Sequence, residues 1–274
     1  MSIPLPGSFA NSFGQHLQLD GMTQHQDDRT VLVTGAARRL GRIIALDFAG
    51  SGWRVGIHYR SSAAEAAGLV TEIERKGGKA AAFAADLDRL DAAKTLIAAC
   101  AATLGPPVCL INNAARFEDD TLATLDGRAW QRHLDVNLRA PIFLTQAFAR
   151  TLPDGWQGNV INVTDQKVLR LNPAYFSYTV SKSALWTATQ IMAQALAPRI
   201  RVNAIAPGPV LRNEGQSEAA FEREVRATPL KKAVSTADVV RAIRFLIDTP
   251  SVTGQVIALD GGQHLVWTPA QDGD

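Results

Sequence analysis

The sequence predicts an α/β fold: one domain built as a three-layer sandwich, with helices on both faces of a seven-stranded parallel sheet. Three observations carry this expectation. Short apolar runs alternate with longer amphipathic stretches from residue 30 to residue 260. The short runs are apolar throughout, as strands covered on both faces must be. The first of them ends in a turn of small residues, Thr34-Gly35-Ala36-Ala37, that opens a helix.

Taken in order, Val31, Leu32 and Val33 make residues 30–34 the first strand, and residues 42–50 the helix after it. Trp53, Val55 and Ile57 mark residues 53–59 as the second strand. Residues 63–76, rich in Ala and Glu, are strong helix formers. Residues 80–84 are the third strand, 91–104 a helix and 108–111 the fourth strand. A helix over 135–152 leads to a strand at 159–163, and a helix over 175–197 to a strand at 201–205. After a polar segment come a helix over 237–247 and the last strand, 255–259. Strands alternating with helices imply parallel crossovers, and such sheets bind ligands outside the carboxyl ends of their strands.

Apolar residues make up 46% of the chain and charged residues 20%, with a formal net charge of +2. That balance gives no reason to expect nucleic acid or an anionic membrane surface as partner. Cys100 and Cys109 are the two cysteines, so neither a disulfide framework nor a metal cluster is expected, and a reducing, cytoplasmic setting is. No apolar run approaches the ~18 residues that cross a bilayer. Residues 1–28 read as a loose N-terminal extension, residues 29–267 as the domain and 268–274 as a tail. Phe9, Phe13, Leu17 and Leu19 leave open a second reading of the extension, as an arm packed on a neighbouring subunit.

The motifs follow the strands. Gly35, Arg38, Arg39, Leu40 and Gly41 form a turn whose backbone N–H groups can approach a pyrophosphate at a helix N-terminus. The bland alternative is an ordinary strand-to-helix turn. The second strand ends His58-Tyr59-Arg60-Ser61-Ser62, with no carboxylate for a ribose 2′-hydroxyl. Arg38, Arg60 and the serine hydroxyls suit a 2′-phosphate instead, which makes NADP the expected cofactor; the alternative is a solvated basic loop. Tyr178 and Lys182 stand four apart, on one face of a helix. A phenol with pKa near 10 is a poor acid–base group at neutral pH, and a neighbouring ammonium is expected to lower it.

These motifs, in this order, resemble the short-chain dehydrogenase/reductase family, with its Rossmann-like fold, from residue 30 to about 266. The resemblance implies that Tyr178 and Lys182 are catalytic, that Lys182 also holds the nicotinamide ribose, and that Asn137 completes a proton relay. It implies that Asp86, Leu87, Asn113 and Ala114 shape the cofactor site, and that Pro207, Gly208 and Val210 lie over the nicotinamide. Arg212 stands where the family usually has Thr, and Asp260-Gly261-Gly262 matches a C-terminal signature. Among members, the chain is most similar to pteridine reductases: Arg39 replaces a glycine, His58-Tyr59-Arg60-Ser61 fits their second strand, and Asp165, 13 residues before Tyr178, stands where carbonyl-reducing members carry Ser. Phe117 then matches the aromatic that sandwiches a pterin against nicotinamide, and Tyr175 a further pocket tyrosine; for Phe117 the alternative is a generic apolar wall, and for Asp165 a solvated loop carboxylate with Thr164 in the serine's role.

The expected activity is therefore NADPH-dependent hydride transfer to a ring C=N bond of a pterin or dihydrofolate, in a homotetramer. Two rivals stay open: a ketone or 3-oxoacyl reductase on the same scaffold, and a non-catalytic NADP-sensing regulator.

Overall fold

The computed structural model describes residues 29–213 and 215–266; the readings of residues 1–28 and 268–274 lie outside them. Seven strands, β1 (Thr30–Val33), β2 (Arg54–Tyr59), β3 (Lys79–Ala84), β4 (Pro107–Asn112), β5 (Gly158–Val163), β6 (Ile200–Pro207) and β7 (Val256–Leu259), form one parallel sheet in the order β3-β2-β1-β4-β5-β6-β7. The helices are α1 (Arg39–Gly50), α2 (Ala63–Arg75), α3 (Ala92–Leu104), α4 (Gly127–Leu134), α5 (Ala140–Thr151), α6 (Phe176–Leu196), α7 (Glu218–Arg226) and α8 (Thr236–Asp248).

The period-two geometry of a strand explains the uninterrupted apolar runs. Val31 and Val33 face one layer, with Ile44 and Phe48 of α1, Ile73 of α2 and Ile243 of α8. Leu32, between them, faces the other layer, with Ile97 of α3 and Leu144 and Phe148 of α5. Phe48 and Phe148 are fully buried, and such a side chain contributes about 1.5–3 kcal/mol.

The structure adds two helices that the sequence reading left as polar connections. Helix α7 buries none of its residues fully, and its short stripe of Ala220, Phe221 and Val225 is only half-buried; Ser217 starts it by accepting from the Ala220 backbone N–H. Helix α4 buries only His133 and is capped by Asp126, which accepts from Ala129 N–H. The helix expected over 135–152 continues α4 through a π-type turn, Asp135–Arg139, into α5. Such turns widen a helix locally and often mark functional positions. Helix α1 begins three residues before its first predicted residue, Arg42, because its apolar periodicity starts later than its backbone geometry. No helix among the described residues is long and apolar enough to cross a membrane.

The sheet order reverses between β1 and β4. The loops after those strands diverge there and open a crevice at their carboxyl ends.

Candidate active site

Three loops meet at that crevice and are tied to one another by their own polar groups. Thr34 Oγ1 accepts the Asn113 and Ala114 N–H groups, both at 2.9 Å. Asn113 Nδ2 donates to Thr34 O at 2.9 Å and Gly35 O at 3.2 Å. Gly35 N donates to His58 Nδ1 at 3.0 Å, and His58 Nε2 faces Ala85 O at 3.1 Å. The ring must accept on Nδ1, so Nε2 carries the hydrogen and the imidazole is neutral; burial holds its pKa below the usual value, which fits. His58 thus fastens the phosphate-type turn to the ends of β2 and β3.

Gly35 takes a left-handed φ of +62°, and a Cβ there would meet Ala114 Cα at 3.0 Å. A Cβ on Gly41 would lie 2.3 Å from Gly35 O, so the turn closes only on glycine. Arg39 takes a φ of +52°, a left-handed conformation that costs a non-glycine residue about 1–2 kcal/mol. Its guanidinium donates to Leu211 O at 3.3 Å, across the crevice. Helix α1 starts with no side-chain cap, so its first-turn N–H groups are offered to a ligand.

The cleft has a volume of about 1120 Å³. Gly35, Arg38–Gly41 and Asn113–Ala114 line its middle, and Tyr59, Arg60, Ser61, Asp86 and Leu87 one end. A glycine cradle over a helix N-terminus, with arginine and serine and no carboxylate at the end of β2, fits a dinucleotide carrying an extra phosphate. Pro207, Gly208 and Val210 do not line this cleft. Gly208 instead packs on the Asp260 turn: its N–H donates to Leu259 O at 2.9 Å, and a Cβ would meet Asp260 Cα at 2.8 Å.

Phe117, Tyr175 and Lys167 line the opposite end. Phe117 stacks on Tyr175 (centroids 4.5 Å apart, 16° between planes) and meets the Tyr178 ring edge-on at 4.7 Å. The pair covers Tyr178, which is 5% exposed. Tyr178 Oη donates to Asp165 Oδ2 at 2.9 Å. The carboxylate, not Thr164, therefore faces the phenol; Thr164 Oγ1 is turned away and donates to Ile205 O at 2.7 Å. Lys182 is fully buried beside them, its ammonium donating to Val163 O at 2.7 Å and lying 5.8 Å from the Tyr178 ring centre.

One expectation needs correction. Tyr178 was expected to have a lowered pKa. Burial and the Asp165 carboxylate raise it instead, because both penalise a phenolate. Burial brings Lys182 itself down to about 8, against the pull of Asp165. Asn137 lies in the π-type turn and its side chain is fully bonded: Oδ1 accepts from Arg116 N at 2.8 Å, and Nδ2 donates to Arg116 O at 2.9 Å and Ser181 Oγ at 3.0 Å. It fixes the backbone just before Phe117 against α6.

A second clamp had no counterpart in the sequence reading. Asp120 accepts from the Ser177 N–H at 3.0 Å and from the Ser177 hydroxyl. His133 Nδ1 lies 2.7 Å from Ser177 Oγ, and its Nε2 accepts from Glu118 N at 3.2 Å. All three side chains are buried, so the cluster is no nucleophilic triad; it locks the Phe117–Asp120 loop to the first turn of α6.

Comparison with known proteins follows the same lines. The profile of the family described as Enoyl-(Acyl carrier protein) reductase matches residues 35–264. A short-chain type dehydrogenase/reductase of Picea abies is 32% identical over 249 residues, covering 86% of this chain and 92% of that protein. A 3-oxoacyl-(acyl-carrier-protein) reductase, FabG, of Staphylococcus epidermidis is 30% identical over 243 residues, covering 87% of this chain and all of that one. Among solved structures, FolM alternative dihydrofolate reductase 1 from Brucella canis, complexed with NADP, superposes with a TM-score of 0.87 at 44% identity, covering 90% of this chain and 98% of that chain.

Proposed function

The chain belongs to the short-chain dehydrogenase/reductase family, and on that premise we propose that it is an NADPH-dependent reductase of a pterin or dihydrofolate-type substrate. The observation that carries this reading is the Asp165 carboxylate receiving the Tyr178 hydroxyl, where carbonyl-reducing members have a serine. Likeness to an alternative dihydrofolate reductase complexed with NADP supports it.

NADPH, when bound, supplies the hydride. Arg38, Arg60 and Ser61 would hold its 2′-phosphate, and Gly35 to Gly41 its pyrophosphate. Phe117 and Tyr175 offer flat faces to a ring that parts them. Tyr178, kept protonated by its surroundings, donates its proton to the ring nitrogen. Asp165 accepts from the substrate's N–H and amino groups with its remaining lone pairs.

A ketone or 3-oxoacyl reductase is the second reading, favoured by the likeness to FabG. Following NADPH absorbance against dihydrobiopterin, dihydrofolate and a 3-oxoacyl thioester separates the two. Turnover of the thioester with none of either pterin overturns the first.

Two further results are expected. Arg60→Ala weakens NADPH binding about tenfold, the loss of one charge-assisted contact, and leaves NADH binding within about twofold. Fluorescence titration with both cofactors checks this, and equal losses for the two would refute a 2′-phosphate role. The protein is also expected to be a homotetramer, since Phe143 of α5 and Val180 and Ile191 of α6 expose apolar surface. Light scattering should give about four times the 29.4 kDa chain mass, and a monomer at micromolar concentration contradicts it.

A further inference from the structure

Lys167 is a cation inside the substrate end of the cleft, and the sequence motifs gave it no role. It sits in the short turn Gln166–Val168 that Asp165 caps: Asp165 Oδ1 accepts the Lys167 backbone N–H at 2.9 Å. The same side chain then folds back, placing Nζ 4.0 Å from that oxygen and 5.3 Å from the centre of the Tyr175 ring. Only 13% of the side chain is exposed, although lysine is seldom this enclosed without a partner. Asp165 is thus held from two sides, with Oδ1 toward Lys167 and Oδ2 toward the Tyr178 hydroxyl.

That placement answers a charge problem in the proposed reaction. When hydride from NADPH adds to the ring carbon and the ring nitrogen takes a proton, the Tyr178 O–H bond breaks and its electron pair stays on oxygen. A phenolate then lies beside an ionised carboxylate, and like charges at that range oppose each other strongly. Lys182, bound to Val163 O behind the ring, supplies one compensating charge. A second is needed, on the Asp165 side.

We propose, on the reading of Tyr178 as proton donor given above, that Lys167 is the charge partner and positioning residue of the Tyr178–Asp165 pair. Its ammonium keeps Asp165 turned so that Oδ2 receives Tyr178, and it offsets the charge left when Tyr178 gives up its proton. Solvent then returns the proton to Tyr178. The role does not depend on which ring or carbonyl is reduced.

The test compares Lys167→Met, which keeps length and loses charge, with Lys167→Arg, which keeps charge, in the full chain at saturating NADPH. Each is assayed on whichever of dihydrobiopterin and a 3-oxoacyl thioester the parent enzyme turns over. Lys167→Met is expected to lose about tenfold or more in kcat, a loss equivalent to one pKa unit, while the Kd for NADPH stays within about twofold. Lys167→Arg should recover to within about threefold of the parent. A readout without substrate accompanies this. The chain has three tyrosines, so tyrosine carrying ¹³C at Cζ gives a spectrum in which Tyr178→Phe identifies the Tyr178 signal. The Tyr178 Cζ signal at neutral pH, which reports the hydrogen bond from its hydroxyl to Asp165, should move in Lys167→Met and keep its place in Lys167→Arg. Unchanged kcat and Tyr178 signal in the methionine variant overturn the inference. So does a loss of kcat that arginine does not rescue or that leaves the signal unmoved, because packing alone would then account for it. If the parent reduces only the thioester, the pterin assignment fails while the Lys167 comparison still decides.

Discussion

Tyr178→Phe is expected to fold and bind NADPH as the parent does, and to lose about 10²- to 10⁴-fold in turnover, the usual worth of a general acid–base group. The mutation removes one oxygen from a ring that stays packed edge-on against Phe117 and buried under the Phe117–Tyr175 pair. Asp165 Oδ2 loses its donor, but Oδ1 keeps the Lys167 N–H and the nearby ammonium, so the carboxylate is not stranded. The reaction is what suffers. Burial and the Asp165 carboxylate both raise its pKa and so favour the protonated phenol, the state that a proton donor needs at the moment the ring nitrogen gains its hydrogen. Steady-state kinetics beside a thermal melt and an NADPH titration make the measurement. A variant that folds, binds cofactor and keeps more than about a tenth of the parent kcat shows that the proton comes from elsewhere.

What the sequence disclosed and what it hid divide along a physical line. Local signals were legible. Apolar runs gave each strand of the sheet, although the edge strands β3 and β7 are not fully buried, and the four-residue spacing of Tyr178 and Lys182 put both on α6. Gly41 could be singled out because a turn that tight tolerates no side chain. Contacts formed only by folding were not legible. Ser177 meets Asp120 across 57 residues and His133 across 44, and no spacing rule spans such gaps. His58 could be read at the end of the second strand, yet its bonds to Gly35 and Ala85 depend on the order β3-β2-β1, which brings three chain ends together. Helix α7 stayed hidden for a different reason: it has nine residues and buries none of them fully, so its half-buried stripe of Ala220, Phe221 and Val225 is too short to stand out in a polar stretch. The direction of the Tyr178 shift was misread because the four-residue spacing promises a nearby ammonium but says nothing of the burial and the facing Asp165 carboxylate that outweigh it. Lys167 was passed over since a lysine in a polar stretch ordinarily faces solvent.

Asp165→Ser is expected to lose about 10²-fold in kcat/KM for a dihydropterin while NADPH affinity stays within about threefold. Two effects oppose each other at this position. Removing a carboxylate 2.9 Å from the Tyr178 hydroxyl eases ionisation of the phenol, which by itself favours proton release. It also removes an acceptor that can take charge-assisted hydrogen bonds from the N–H and amino groups of a pterin, each worth about 1.5–3 kcal/mol, or roughly ten- to hundredfold. The second effect should win, since a phenol that ionises readily still needs a ring held in front of it. Local structure tolerates the change: serine can also accept the Lys167 N–H that caps the Gln166–Val168 turn. For a ketone the sign reverses. Its reduction builds negative charge on oxygen, which a carboxylate repels and a serine hydroxyl stabilises by donating to it. The variant should therefore gain whatever weak ketone or 3-oxoacyl thioester activity the scaffold allows. Parallel assays on a dihydropterin and the thioester, for parent and variant, decide the matter. A serine variant that reduces the pterin as well as its parent would remove Asp165 from substrate recognition, and an efficient ketone reductase in the parent would show that the carboxylate does not set the substrate class.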